Sequence, residues 1–148
     1  GSTLSRELGR GEPQWRSRIG AWPWFLAWCS GVPDGLVAAV PDQPASWPAC
    51  PGPRGWHLVS MWVSPQARGM GVGDLLVGAV MNHAVLAGAP RVILWVALGN
   101  ARARAFYQRM GFVPTGRRQV YVRDGATALE EEELAWPVRS AAPPTVPR

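Results

Sequence analysis

Short apolar runs separated by glycine and proline organise the first half of the chain. Phe25 to Cys29 and Leu36 to Val40 flank Val32-Pro33-Asp34-Gly35, whose turn chemistry predicts a β-hairpin. Upstream, Ser5 to Ile19 can form a short helix that buries Leu8, Trp15 and Ile19, although Gly9, Gly11 and Pro13 weaken it. Between Pro41 and Gly55 there are five prolines in fifteen residues. That composition offers no periodic face to bury and predicts an extended loop, not a domain boundary.

From Trp56 onward the pattern sharpens. Trp56 to Val63 puts Trp56, Leu58, Ser60 and Trp62 on one face and His57, Val59, Met61 and Val63 on the other, which predicts a strand buried on both faces. Pro65 ends it. Asp74 to Ala87 carries Leu75, Leu76, Ala79, Val80 and Ala84 at helical spacing and is apolar on nearly every side, so it predicts an internal helix stopped by Gly88 and Pro90. Val92 to Leu98 follows as a strand, and the strand, helix, strand order implies a parallel pair with a crossover. Ala101 to Met110 is a second helix with Ala103, Phe106, Tyr107 and Met110 facing inward.

Two further strands, Arg117 to Arg123 and Glu130 to Trp136, flank the turn dipeptide Asp124-Gly125. A near-symmetric hairpin sets Arg117 and Arg118 close to Glu131 to Glu133. The plainer reading of the four consecutive glutamates is a solvated strand face, and a substrate-facing patch is the alternative. The elements together predict an α/β domain over residues 3–138 with a mixed, mostly antiparallel sheet splayed at one parallel strand pair and flanked by helices. Residues 139–148, rich in Pro and Ala, are expected to be a flexible tail. Gly1 and Ser2 resemble a tag-cleavage scar and stand outside this reasoning.

Composition narrows the function classes. A chain of 148 residues with 47% hydrophobic content suits one core, and 17% charged residues exclude a charge-driven disordered chain. All 15 basic residues are Arg, giving +5 against 10 acidic residues. They are scattered, without the dense block a nucleic-acid footprint requires, so no nucleic acid is expected. The missing lysines fit GC-rich coding bias better than any special role. Two cysteines, Cys29 and Cys50, are too few for a disulfide framework and lack metal-ligand spacing, so no metal is expected. Leu75 to Leu98 is interrupted by Asn82, His83, Pro90 and Arg91, which argues against a membrane span. Without a secretory signal, the expected setting is cytoplasmic.

The chemistry concentrates in Gln66-Ala67-Arg68-Gly69-Met70-Gly71-Val72-Gly73, between a strand and a helix. Glycines admit close backbone approach, and free N–H groups at a helix start bind phosphate oxygens. Arg68 adds a fixed cation. A tight turn without a ligand is the competing reading of such a loop. A P-loop would need Lys and Ser or Thr where Asp74 and Leu75 stand. A dinucleotide fingerprint counted from Gly69 meets Asp74 at its sixth position, and Val92 to Leu98 carries no acid.

A second motif changes the weighing. Gln66-x-x-Gly69-x-Gly71, followed by Asn100-x-x-Ala103-x-x-x-Tyr107-x-x-x-Gly111-Phe112, resembles the GNAT N-acetyltransferase superfamily over roughly Phe25 to Val138. The resemblance implies acetyl-CoA (coenzyme A) as cosubstrate, its pyrophosphate held by backbone amides of Gln66, Arg68, Gly69, Met70, Gly71, Val72 and Gly73. Met61, Trp62 and Val63 would pair with the pantetheine arm. Asn100, Arg102, Ala103 and Tyr107 would line the same ligand, with Tyr107 protonating the departing thiolate. Arg104 is a further candidate for the coenzyme A phosphates.

Elementary chemistry agrees with these roles. Amine attack on a thioester builds an oxyanion, which a backbone N–H such as that of Val63 can stabilise, and a hydroxyl assists the leaving thiolate. The competing reading of Tyr107 is a core tyrosine on an apolar stripe. His57 is the candidate base by its unperturbed pKa, against a hydrogen-bonded strand histidine; His83 is more simply a packed helix residue. Nothing beside Cys29 would activate its thiol as an acyl carrier, so direct transfer in a ternary complex is expected. The 24 residues before Phe25 suffice for one helix, so the strand and first helix with which the family usually begins are expected to be lacking. The acceptor is an unknown primary amine, and a homodimer is left open. The rivals are a non-catalytic acyl-CoA-binding or partner-binding domain and, more remotely, a dinucleotide enzyme.

Overall fold

Six strands form one sheet in the order β1-β2-β3-β4-β6-β5, in a computed structural model that describes residues 11–29, 31–42, 55–123 and 127–138. In chain order the elements are α1 (Glu12–Ala21), β1 (Trp24–Cys29), β2 (Val32–Pro41), β3 (Trp56–Val63), a 3-10 turn at Pro65–Ala67, α2 (Val72–Leu86), β4 (Arg91–Ala97), α3 (Ala101–Arg109), β5 (Val113–Arg123) and β6 (Thr127–Pro137). Every pairing is antiparallel except β3 with β4. The predicted mixed sheet with one parallel pair is the fold. Residues 5–10 of the predicted first helix, the tail at 139–148 and most of the proline-rich loop lie outside the described residues.

The hairpin turns earlier than its sequence suggests. Val32 to Gly35 is already strand, and the reversal falls at Gly31 with φ +81°. The reason is tertiary: a Cβ at Gly35 would lie 2.8 Å from Leu76 Cδ1 and 3.1 Å from Val72 Cγ1, so this glycine lets α2 lie against β2. Expected burial also fails at Ile19, which is 56% exposed on α1.

Strand β3 departs from simple alternation. Between Leu36 and Ala38 the partner strand advances two residues, while β3 advances three, from Trp62 back to Val59. The surplus residue forms a bulge in which Ser60 takes φ +55°. It shifts the faces by one, so Trp56, Leu58, Met61 and Val63 join the core beneath α2 and α3, while Trp62 turns outward at 46% exposure. Burial on both faces therefore holds only for the first half of the strand.

Helix α2 is covered on one side only, not internal, and its exposed side keeps apolar residues such as Leu75, Val85 and Leu86. Leu76, Val77, Val80 and Ala84 are buried against the sheet, but Leu75 is 72% exposed. One sheet covers one helix face, and nothing among the described residues covers the other. The helix ends in a Schellman motif, with Ala89 N donating to Ala84 O at 2.9 Å and Gly88 N to Val85 O at 3.0 Å.

The glutamate run is not a solvated face. Glu132 and Glu133 are 7% and 1% exposed. Arg104 Nε pairs with Glu132 Oε1, and Arg117 Nη1 donates to Glu133 Oε2 at 2.8 Å. Alternation places the two carboxylates on opposite faces of β6, and each receives its own arginine.

Candidate active site

The parallel pair is the shortest ladder in the sheet. Trp56 pairs with Val92 and His57 with Ile93, and the register then stops. Beyond these two positions β4 keeps β6 along its whole length while β3 stays with β2, so the strands diverge. Ser64 N donates to Asp34 O at 2.8 Å. Ladder alternation then turns the N–H and C=O of the preceding Val63 away from β2, toward the gap. Val63 O accepts from Arg68 Nε at 3.2 Å.

The phosphate-type loop follows directly from the end of β3. Gly69 and Gly71 take φ +81° and +83°, with no atom within 4 Å of an added Cβ at either. Gly71 is the N-cap of α2, no side chain caps the helix, and the first bond from the loop is Leu75 N to Gly71 O at 3.1 Å. The first-turn amides of Val72, Gly73 and Asp74 therefore have no intrahelical acceptor. They form a cradle of partial positive charge beside open space, which suits a pyrophosphate. Gly73 serves packing instead: its Cβ would stand 3.1 Å from Phe106 Cζ. Asp74 and Arg109 then clasp α2 to α3 through contacts of 2.6 and 3.3 Å, and that carboxylate raises the Arg109 pKa above its ordinary value.

The second motif encodes the two ends of one helix. Asn100 Oδ1 accepts from Ala103 N at 3.0 Å as the N-cap of α3. Gly111, at φ +95°, and Phe112 close a Schellman motif, with Phe112 N donating to Tyr107 O and Gly111 N to Gln108 O, both at 3.0 Å. Phe112, 1% exposed, meets the Tyr107 ring edge-on at 5.8 Å. Phe106 holds the ring from its other neighbour at 5.1 Å. The spacing Asn100, Ala103, Tyr107, Gly111, Phe112 is thus a helix of fixed length with Tyr107 anchored in its last turn. Tyr107 is 8% exposed, and burial pushes its phenol up to about 12.

The other predicted residues divide. Met61 and Val63 line the core side of the gap, and Trp62 faces the opposite side. Gln66, Met70 and Arg102 are exposed. Arg104 is committed to Glu132, so it is not a spare cation for phosphate. His57 is not brought to Tyr107. It pairs with Val40 and Ile93 on the sheet face opposite α2, is 1% exposed, and places Nε2 3.1 Å from Asp42 Oδ1. His83 packs edge-on against Trp56 at 4.6 Å and Phe25 at 5.8 Å.

Sequence reading missed Asp34 and Ser64, 8% and 2% exposed. Ser64 Oγ donates to Asp34 Oδ1 at 2.7 Å, which ties the loop's first residue to the hairpin. Their thirty-residue separation left no local signal. Among the described residues no group of three or more His, Cys, Asp and Glu could hold a metal ion, and no helix is long and apolar enough to cross a membrane.

Comparison with known proteins agrees with this geometry. Peptidyl-lysine N-acetyltransferase YjaB of Escherichia coli is 37% identical over 79 residues, covering 53% of this chain and 48% of that protein. The matched stretches span about half or less of the length of the first curated relatives. In fold, a ribosomal-protein-alanine N-acetyltransferase from Brucella melitensis superposes with a TM-score of 0.67 at 24% identity, covering 93% of this chain and 80% of its own. The protein yncA from Salmonella typhimurium, whose structure is described with its cofactor acetyl-CoA, gives 0.64 at 18% identity over 98% and 80%. The model of the acetyltransferase (GNAT) family matches residues 5–112, and with the divergent parallel pair and amide cradle in place, the chain belongs to that family.

Proposed function

We propose that this chain is an acetyl-CoA-dependent N-acetyltransferase that moves an acetyl group to a primary amine by direct attack in a ternary complex. The observation carrying this reading is the junction of β3 and α2: a strand that leaves its parallel partner after two positions runs into a helix start with uncapped amides. The open space at Gly69 and Gly71 is what a pyrophosphate cradle needs. In this reading the amides of Gly69 and of Gly71 to Asp74 hold the pyrophosphate, Met70 N being held by Ala67 O at 3.3 Å, and backbone groups of Met61 to Val63 pair with the pantetheine arm. When bound, acetyl-CoA supplies an activated thioester.

The remaining roles belong to the chain. The N–H of Val63, turned from β2, is the donor for developing negative charge on the carbonyl oxygen. Tyr107 keeps its proton at neutral pH and is the hydrogen-bond donor to the leaving sulfur. Its raised pKa argues for donation over full transfer: a phenol at about 12 against an ordinary thiol near ~8.5 makes proton transfer uphill by about 5 kcal/mol. For His57 we favour a structural role, because its burial and its bond to Asp42 fasten the end of β2 to β3. The amine proton then leaves to water.

The non-catalytic reading is tested by turnover. Acetyl-CoA with a panel of amines should release free thiol and an acetylated product detectable by mass spectrometry, whereas coenzyme A binding without thiol release would leave a binding domain. Coenzyme A at about 100 times its dissociation constant should stabilise the fold by roughly 2.7 kcal/mol. Stabilisation by NAD in place of coenzyme A would refute the proposal.

A further inference from the structure

On the assumption that the site performs acetyl transfer, we infer that the acceptor is a primary amine carried on an apolar, preferably aromatic, body without an anionic group, docked between Trp62 and Glu131 on the sheet face opposite α2. Entry from that side follows from packing. On the helix side the gap is backed by Met61, Val63, Leu76, Val96 and Tyr107, which belong to one core cluster.

The opposite face opens in steps that the strand registers define. Its first row, Val40, His57 and Ile93, is buried at 0 to 2% exposure. The next, Trp24, Ala38 and Val59, lies beneath the end of α1, where Trp24 Nε1 donates to Arg18 O at 3.3 Å. The third row, Leu26, Leu36 and Trp62, is uncovered, with Leu26 53% and Trp62 46% exposed. The bulge at Ser60 turns Trp62 onto this face beside the gap. An exposed indole beside the gap offers apolar area that an aromatic ligand body would cover, removing both from water.

Across the gap, β4 and β6 present Trp95, Glu133 and Glu131 on the same face. The Trp95 ring is covered by the Arg117 guanidinium at 5.6 Å, and that cation neutralises Glu133. Glu131 differs: its Oε2 accepts from the neutral amide of Gln119 at 2.9 Å. It is a half-buried carboxylate with a neutral partner in a chain of net charge +5. An ammonium is therefore attracted to this bank and an anionic substituent is repelled.

The test compares 2-phenylethylamine, ethylamine and phenylalanine as acceptors. The expected kcat/KM for 2-phenylethylamine is at least about tenfold above ethylamine, as apolar pockets discriminate, and also above phenylalanine. Trp62→Ala should collapse the first ratio toward unity, and Glu131→Gln should shrink the second; ratios within one variant cancel any general loss of rate. Calorimetric titration of 2-phenylethylamine into the coenzyme A complex supplies a second readout. Turnover with unchanged ratios overturns this inference and leaves the transfer reading standing. Binding lost in Trp62→Ala, without turnover of any amine, overturns the transfer reading and with it the acceptor role, while keeping Trp62 as the residue that docks the amine; absence of both binding and turnover overturns both.

Discussion

Removing only the hydroxyl of Tyr107 separates its burial from its chemistry. Tyr107→Phe keeps the ring that packs edge-on against Phe106 and Phe112. In the native protein burial holds the phenol at about 12 against 10.0 for the free side chain. Between pH 10 and 12 the unfolded chain releases this proton while the native state retains it, so stability falls as pH rises. The contribution is intact below pH 10. At pH 11 the loss is on the order of 1 kcal/mol, rising toward roughly 3 kcal/mol above pH 12, since each pKa unit is worth a little over ~1 kcal/mol. Urea unfolding at pH 8 and pH 11 should show wild type losing on the order of 1 kcal/mol more than Tyr107→Phe, because the other titrating groups are shared by both proteins. Equal losses would mean that the hydroxyl ionises freely in the fold, and the burial of Tyr107 between Phe106 and Phe112 would not reach its hydroxyl. In the proposed reaction the same substitution should lower acetyl transfer at pH 7.5 by about ten- to a hundredfold, below the upper range for full general acids. Coenzyme A affinity should hardly change, and an unchanged transfer rate would remove Tyr107 from the mechanism.

Other substitutions probe the scaffold around the gap. Gly71→Ala should cost roughly 1–2 kcal/mol from its left-handed backbone alone, since no neighbour obstructs the methyl group, and should weaken coenzyme A binding in a thermal-shift titration. Gly35→Ala must displace Leu76, Val72 or the Trp62 carbonyl, with an expected loss of about 1–3 kcal/mol in chemical denaturation. Asn100→Ala should cost about 1 kcal/mol of cap energy and Asn100→Asp almost none, so a shared loss of coenzyme A affinity in both would reveal a direct ligand contact. Glu133→Ala removes the buried carboxylate that accepts from Arg117 Nη1 and Thr115 Oγ1 and should cost about 3 kcal/mol, the low end for buried pairs because Arg117 is 31% exposed. Finally, if His57 is structural, His57→Gln should leave the pH dependence of transfer unchanged; loss of a limb near neutrality would restore it as the base.

The local elements were legible in the sequence because their signals are local. Turn glycines, apolar periodicity and the strand, helix, strand order place all six strands and the two helices after the loop within a few residues, and the two motifs mark the cradle and Tyr107. The second motif is legible for a physical reason: Asn100 and Gly111 are the caps that fix the helix length, and those preferences act over three or four residues. What alternation could not give was its own interruption. Only pairing with β2 exposes the bulge at Ser60, which sends Met61 and Val63 into the core and Trp62 out of it. Burial was likewise settled by neighbours distant in the chain. One sheet covers one side of α2 and leaves Leu75 in water, while Asp42 and the two adjacent strands enclose His57 on the sheet face away from the Tyr107 cluster. The glutamates follow the same rule, since whether a carboxylate is solvated, paired or available depends on which arginine reaches it across the sheet. Sequence determined the pieces and the backbone chemistry at their ends. Long-range pairing decided which side chains share a face, and therefore which of them could act together.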